Sequence, residues 1–227
     1  MCALAVLFAV LWFSEAIQLE STALIPIFGF PLAGILNTGD AAKSYINSII
    51  FLFIGGFLIA LSMERWNLHR RIALNIIHVI GRRADFLVLG FMASSAFLSM
   101  WISNTATTLM LLPVALAVLE RSPDKALATP LLLGIAYAAS VGGIGTPIGT
   151  PPNVVFRDAY QRATGTDVEF LTWMAWGVPV VIVLVPLIAI WLTRRLNYQG
   201  AVEVPSVGRW QAYETRVFIV FALTALA

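Results

Sequence analysis

The sequence predicts an all-α integral membrane protein, and three observations support this prediction. First, 59% of the 227 residues are hydrophobic and only 11% are charged, whereas a soluble domain carries about 25% charged residues. Second, no Asp, Glu, Lys, Arg or His occurs from Phe86 to Leu119. Third, most Lys and Arg residues lie in a few short segments between apolar runs, which is typical of cytoplasmic loops.

The segment 1–83 is predicted to contain transmembrane helices followed by an amphipathic helix. A membrane-spanning helix needs roughly 20 residues, so the first run is expected to continue past Glu15. Residues 64–83 hold five Arg and two His among regularly spaced apolar residues, which predicts a helix on the cytoplasmic interface with His69 and His78 as interfacial side chains. The apolar runs are 2–14 with an extension to Leu19, 21–36 after it, and 45–63 after a loop at 37–40.

The uncharged run 86–119 has polar residues at its centre and allows two interpretations. It can form two full spans that meet at Asn104, with the polar residues as an exposed turn. It can also form a re-entrant hairpin over 85–120, with residues 103–105 at a buried tip. Pro113 and the many Ser and Thr residues favour the shorter, broken helices of the hairpin.

The rest of the chain is predicted to hold a broken helix over 126–160, a helix over 170–195, and a cytoplasmic linker with the start of a truncated helix over 197–227. The break falls at 142–153, which is rich in Gly and Pro. This topology places eleven Lys and Arg residues inside and three outside, in agreement with the positive-inside bias. It also places the N-terminus outside and leaves the last helix incomplete, so we expect the chain to be a piece of a larger protein.

The two polar breaks predict a site for a small solute or ion at membrane depth. Helix ends with free C=O groups suit cations, and those with free N–H groups suit anions. Neutral hydroxyl, amide and carbonyl oxygens suit Na⁺. Neither apolar segment supplies a Lys or Arg to neutralise an anion, so a co-bound cation would do so and would couple the two solutes. No nucleophile–base pair, carboxylate dyad or His/Cys cluster with metal-site spacing is present, which argues against an enzyme and against a metal centre other than sodium. Nothing in the sequence favours nucleic-acid binding.

Two motifs resemble those of a known family. The segments 103–107 and 149–153, with Gly142-Gly143, resemble the first-repeat motifs of the divalent anion/sodium symporter family, the sodium-coupled dicarboxylate, citrate and sulfate transporters. The runs 48–56 and 98–101 resemble it as well. The resemblance implies a protein about twice this length, built from two inverted repeats, that forms a homodimer and transports by an elevator mechanism. Here it implies scaffold helices in 1–83 and half of a transport domain in 84–196.

The resemblance also implies roles for individual residues. The implied sodium ligands are Ser99, Ser103, Asn104 and Gly149, and the implied substrate ligands are Asn104, Thr105, Thr150 and Pro151. The family's first helix and its second repeat are missing, and the 227 residues contain no second Ser-Asn-Thr sequence. We therefore expect half a substrate site and no transport by this chain alone.

The sequence thus predicts a sodium-coupled symporter of di- or tricarboxylates in the cell membrane, a multi-pass protein that needs no cofactor besides Na⁺. Two alternatives remain. One is a sodium-independent anion exchanger or an inorganic oxyanion transporter of the same superfamily. The other is a non-transporting membrane fragment that pairs with another chain.

Overall fold

The computed structural model describes residues 2–43, 45, 48–196, 200, 202, 208 and 210–226. All regular secondary structure in these residues is helical, which confirms the all-α prediction. The chain divides into two compact units, Met1–Leu52 and Phe53–Ala227, and α4 contains the division. The helices are α1 (Cys2–Ser14), α2 (Leu19–Leu32), α3 (Thr38–Lys43), α4 (Ser48–Arg65), α5 (Leu68–Ile80), α6 (Ala84–Ser99), α7 (Asn104–Arg121), α8 (Ala128–Gly142), α9 (Pro151–Thr164), α10 (Phe170–Thr193) and α11 (Ala212–Leu226).

In the first unit, α1 is shorter than predicted. The helix ends at Ser14, and Glu15 has a left-handed backbone with a φ of 48°. Because a left-handed residue cannot continue a right-handed helix, the expected extension to Leu19 is wrong. α2 begins at Leu19 and packs against α1, with the rings of Phe8 and Phe30 edge to face at 6.1 Å.

The predicted loop at 37–40 is largely a short helix. Asn37 Oδ1 accepts a hydrogen bond from the Asp40 N–H at 2.8 Å, and Asn37 Nδ2 donates to Asp40 Oδ2 at 2.6 Å. The first bond satisfies a backbone donor at the start of α3, as an N-cap side chain does. The turn-forming residues therefore start a helix here instead of a loop.

In the second unit, α6 is the central helix. Eleven of its 16 residues are buried, and it packs against α5, α7, α8 and α10. Two of its serines donate to backbone carbonyls of α8: Ser95 Oγ to Ile135 at 2.8 Å and Ser99 Oγ to Ala139 at 2.7 Å. Hydroxyls usually bond to their own helix. Here they join two helices instead.

Small residues set the spacing between α6 and α8. A Cβ atom added to Gly142 would lie within 3 Å of the backbone of Ala96, and one on Gly134 would lie 2.9 Å from Met92 Cγ. Close approach through glycine is a common device of membrane helices. It places the end of α8 beside the end of α6.

α5 is amphipathic, as predicted, but its apolar face packs on protein. Six of its 13 residues are buried, and Ile77 contacts the Gly90 position of α6. His69 is only 6% exposed, with Nδ1 3.2 Å from the Met63 carbonyl oxygen, and burial lowers the pKa of its imidazole. The interpretation of His69 as an interfacial side chain is therefore wrong.

Arg71 of α5 is also buried, in an ion pair that we term the Arg71–Glu214 clasp. Arg71 Nη2 lies 3.0 Å from Glu214 Oε2 of α11, and Nη1 donates to the Gly208 carbonyl at 3.0 Å. The guanidinium also stacks on Trp210 at 4.9 Å from the ring centroid. Glu214 accepts the Gln211 N–H at 2.8 Å, which caps α11. The clasp ties α11 to α5.

Among the described residues, two helical segments are long and apolar enough to cross a bilayer, Lys125–Gly142 and Phe170–Thr193. The first comprises α8 and the 3₁₀ turn before it. α11 begins five residues earlier than the apolar run predicted from residue 217. In the predicted linker, 197–216, residues 197–199, 201, 203–207 and 209 lie outside the described residues.

Candidate functional site

The candidate site is built around two non-helical segments, 100–103 and 143–150. The first follows the end of α6 at Ser99, and the second follows the end of α8 at Gly142. Ser103 starts α7 because its extended backbone stops the preceding turn and its Oγ accepts the Ala106 N–H at 3.2 Å. Two helix C-termini and two helix N-termini are thus brought into one region.

The two segments contact each other directly. Thr146, which is fully buried, donates from Oγ1 to the Met100 carbonyl. A Cβ atom on Gly145 would lie 2.8 Å from Met100 Cε, and one on Gly143 would lie 2.7 Å from Asn104 Oδ1. Side chains at these two positions would displace the Met100 and Asn104 side chains, so the glycines permit the observed arrangement.

Ser99 and Asn104 form the polar centre of the site. Ser99 Oγ lies 2.6 Å from Asn104 Oδ1 and 2.7 Å from the Ala139 carbonyl oxygen. A hydroxyl has one hydrogen to donate, so it cannot donate to both oxygens at once. Three neutral oxygen atoms therefore converge with an excess of lone pairs, which suits a cation.

Asn153 holds the 143–150 segment in shape. Its Nδ2 donates to the Gly143 carbonyl at 2.7 Å and to the Thr146 carbonyl at 2.8 Å, and its side chain is buried. One amide group thus uses both of its hydrogens to close a loop that has little regular hydrogen bonding of its own. Both carbonyl oxygens thus accept a hydrogen bond from Asn153.

α10 supports the same segment from another side. Trp173 Nε1 donates to the Ile144 carbonyl at 2.8 Å, and a Cβ atom on Gly177 would lie 2.5 Å from that oxygen. The helix therefore contacts the segment through one indole donor and one glycine. The segment is held from both sides, by Asn153 and by α10.

A small cavity of about 60 Å³ opens beside the site. A water molecule takes up about 30 Å³ of liquid volume, whereas pockets for small organic ligands measure about 300–1,000 Å³. The cavity has room for an ion or one or two waters, and not for a whole dicarboxylate. It is lined by Gly56, Phe57, Trp101, Ser103, Ile148, Gly149 and Pro151.

The two helix N-termini differ in what they offer an anion. α9 begins with Pro151 and Pro152, which have no N–H, and the Asn153 N–H donates to the Thr150 carbonyl at 3.1 Å. The start of α9 therefore lacks backbone donors for a carboxylate. Pro151 can contact a substrate only through carbon or its carbonyl.

No titratable side chain occurs in 99–108 or 142–153. The first cation beyond them in the sequence, Arg157 of α9, is buried and has Nη2 3.0 and 3.2 Å from the two carboxylate oxygens of Asp167. Arg157 shares the buried face of α9 with Asn153. Its charge is already balanced by Asp167, so the site itself is neutral.

The structure brings most, but not all, of the predicted site residues together. Ser99 and Asn104 are in contact, while Ser103, Gly149 and Pro151 line the cavity. Asn104 and Thr150 both lie beside Gly143, and Thr105 is exposed on α7 without a described contact to the others. Their roles as ligands stay predictions. The sequence interpretation assigned no role to four groups: Thr107, the Ala139 carbonyl, Thr146 and Asn153. Thr107 and Asn153 end the two motifs, and Thr146 lies in the Gly- and Pro-rich break, so each of these three side chains had a signal in the sequence.

Comparisons with known proteins agree on one family. The model of the citrate transporter family matches residues 9–227. A sodium-dependent dicarboxylate transporter of Staphylococcus saprophyticus is 41% identical over 192 residues, which cover 80% of this chain and 37% of the relative. The protein of the same name from Staphylococcus aureus is 43% identical over 184 residues, covering 76% and 35%. The match therefore spans little more than a third of the length of these relatives.

Proposed function

The chain belongs to the citrate transporter family, and from this premise we propose that it forms part of a secondary active transporter that carries a di- or tricarboxylate together with Na⁺. The family is one of transporters and not of enzymes. The names of the relatives, sodium-dependent dicarboxylate transporters, support both the substrate class and the coupling ion.

One observation supports the sodium site above the others. Asn104 Oδ1 and the Ala139 carbonyl oxygen lie 2.6 and 2.7 Å from the hydroxyl oxygen of Ser99. Neither polar segment contains a charged residue. In our proposal Ser99 and Asn104 bind Na⁺, and Ser103 and Gly149 complete the site from the adjoining cavity. Oxygen atoms at broken helix ends are a recurrent solution for sodium in secondary transporters.

The carboxylate would bind on the other side of Asn104. Thr105 and Thr150 offer hydroxyl donors and Asn104 an amide, while Pro151 shapes the wall. The N-terminus of α7 adds a partial positive charge. Because no Lys or Arg lies in either segment, Na⁺ supplies the charge that compensates the carboxylate, which couples the binding of the two solutes.

We further propose that these residues form half of the transport site. The cavity of about 60 Å³ is too small for a dicarboxylate, and a second inverted repeat would supply the rest. In this proposal 85–120 is a re-entrant hairpin and 126–160 a broken helix of an elevator-type transport domain. The segment 1–83 belongs to the scaffold of a homodimer, a multi-pass protein of the cell membrane.

Thermal unfolding of the purified chain in detergent tests the sodium site. A ligand that binds only the folded state at about 100 times its Kd stabilises by about 2.7 kcal/mol, which predicts a rise in Tm of about 5–10 °C in Na⁺ relative to K⁺. The variant Asn104→Ala is expected to lose this difference. Asn75→Ala, at an exposed position of α5, is the control and should keep it.

Equal Tm values in Na⁺ and K⁺ for the unaltered, folded chain would contradict the proposed sodium site. Succinate, citrate and sulfate, each added in the presence of Na⁺, then separate the substrate classes. Stabilisation by sulfate alone would favour an inorganic oxyanion transporter over a carboxylate transporter.

A further inference from the structure

Thr107 carries a hydroxyl that the fold leaves without a partner. The residue is 0% exposed, and its Oγ1 makes no hydrogen bond within the part of the chain that the structure describes. Burying a hydroxyl without a partner costs free energy, and buried polar groups in native proteins nearly always bond to protein, water or an ion. The unsatisfied hydroxyl oxygen is therefore a candidate ligand for a bound water or ion.

The neighbouring threonine makes the hydrogen bond to its own helix that Thr107 does not make. Thr108 Oγ1 donates to the Asn104 carbonyl at 2.8 Å, one turn back along α7. This back-bond is the usual way for a threonine to be satisfied inside an apolar helix. The Ser103 carbonyl lies at the same spacing before Thr107, and it accepts the backbone N–H of Thr107 at 2.9 Å.

Thr107 lies one helical turn after the residues of α7 that belong to the candidate sodium site. It follows Asn104 by three residues and Ser103 by four, so the three share one side of the first helical turn. The other four buried residues of α7 are apolar: Leu111, Val114, Ala115 and Val118. α7 packs against α6 and α8, which contribute Ser99 and the Ala139 carbonyl.

We infer that Thr107 Oγ1 is a further oxygen of the Na⁺ site that Ser99 and Asn104 begin. This inference rests on the proposed function. The three convergent oxygens have a surplus of lone pairs, and the Thr107 hydroxyl adds one more on the same side of α7. A bound Na⁺ would satisfy Oγ1 and remove the cost of its burial. A sodium ion needs several oxygen ligands, and Thr107 supplies one from the first turn of α7, just after the 100–103 segment.

The test is a sodium titration of Tm in the full chain, with K⁺ keeping the ionic strength constant. Thr107→Val keeps the shape of the side chain and removes the hydroxyl. We expect it to raise the half-saturating Na⁺ concentration about tenfold, the loss expected for one oxygen contact. Thr107→Ser, which keeps the hydroxyl, should stay near the unaltered chain. Thr108→Val is the matched control one position away and should leave the half-saturating concentration unchanged.

If the Thr107 hydroxyl is buried but does not bind Na⁺, the variants give a different set of Tm values. Because valine would relieve an unsatisfied group, Thr107→Val would then raise Tm equally in Na⁺ and K⁺, with the same half-saturating Na⁺ concentration, and this result would overturn the inference. Thr107→Ala is the second variant if valine prevents folding; because it also removes a buried methyl group, the half-saturating Na⁺ concentration alone decides it, and an unchanged value overturns the inference. If the unaltered chain shows no sodium effect, the proposed function itself fails and the inference with it. A sodium effect that Thr107 variants leave unchanged overturns the inference alone.

Discussion

Asn153 stabilises the candidate site without being one of its proposed ligands. Its amide donates to the carbonyls of Gly143 and Thr146 at 2.7 and 2.8 Å, and these bonds fix the path of the chain past Asn104. A change at Asn153 therefore acts on the site through the shape of 143–150. Such a residue affects stability and ion binding together.

The variant Asn153→Asp keeps the size of the side chain, removes both donors and places a carboxyl group against two carbonyl oxygens. The Thr146 carbonyl keeps the Gly149 N–H as a donor, but the Gly143 carbonyl loses the donor described for it. Loss of the two hydrogen bonds, together with this repulsion, should lower the free energy of unfolding by about 2–4 kcal/mol. Unfolding followed by circular dichroism measures this change. Gln161→Ala, at an exposed position of the same helix, should change it by less than about 0.5 kcal/mol. If the Asn153→Asp variant were as stable as the unaltered chain, the two bonds would not be what holds the segment.

At this scale the sequence predicted part of the site. Ser99 and Asn104 were expected in one site from the density of polar residues in an uncharged run, and they are in contact. Thr146 and Asn153 were not assigned roles, because their partners are backbone carbonyls. Every residue has a backbone carbonyl group, so the sequence does not indicate which carbonyl will accept a given side-chain donor.

At the scale of helices, the contact between α6 and α8 positions the two breaks. The backbones meet at Ala96 and Gly142, where a Cβ atom on the glycine would overlap the carbonyl of Ala96. Two serine-to-carbonyl bonds along the same contact fix its register. The separation of the polar segments thus depends on this one helix pair.

The variant Gly142→Ala is expected to force α6 and α8 apart and to destabilise the chain by about 1–3 kcal/mol, the usual cost of overpacking. Gly55→Ala provides the control, since a Cβ atom there meets nothing within 4 Å. It should be neutral or stabilise by up to about 1 kcal/mol, because alanine favours a helix interior over glycine. The free energies of unfolding of the two variants test this prediction. Equal values for Gly142→Ala and Gly55→Ala would show that the contact between α6 and α8 at Gly142 is not tightly packed.

Helix ends were predicted best where the sequence changes character sharply. The polar residues after Ser99 and the Gly/Pro segment after Gly142 coincide with the ends of α6 and α8. The sequence predicted that α5 lies on the cytoplasmic interface, but it did not identify the surface that covers its apolar face. An amphipathic pattern shows that one face is apolar but not whether lipid or protein covers it, and here α6 does.

At the scale of the whole molecule, every described contact of the candidate site lies in the second unit, Phe53–Ala227. The first unit supplies none of the proposed ligands. A chain that begins at Ser48, the first residue of α4, is therefore predicted to keep the sodium-dependent rise in Tm. The sodium titration of this truncated chain measures it, with helical content by circular dichroism as the control for folding. A folded truncated chain without the rise would show that residues before Ser48 contribute to the site.

The all-helical class could be predicted from composition. The contact between the polar segments 100–103 and 143–150 could be predicted because both are polar interruptions of apolar runs. The size of the cavity could not. A volume depends on how side chains from four different segments pack, among them Phe57, Trp101 and Ile148, and the sequence does not contain that information in any local pattern.

The Arg71–Glu214 clasp has a consequence for attraction to lipid headgroups. The basic segment 64–83 holds five Arg, and each Lys or Arg near an anionic membrane surface contributes about 1 kcal/mol of attraction. Arg71 is buried against Glu214, and Arg83 is paired with Asp85. Two of the five cations are thus matched by carboxylates outside the segment, and Glu64 within it offsets a third, so the segment presents at most two net positive charges to anionic lipids.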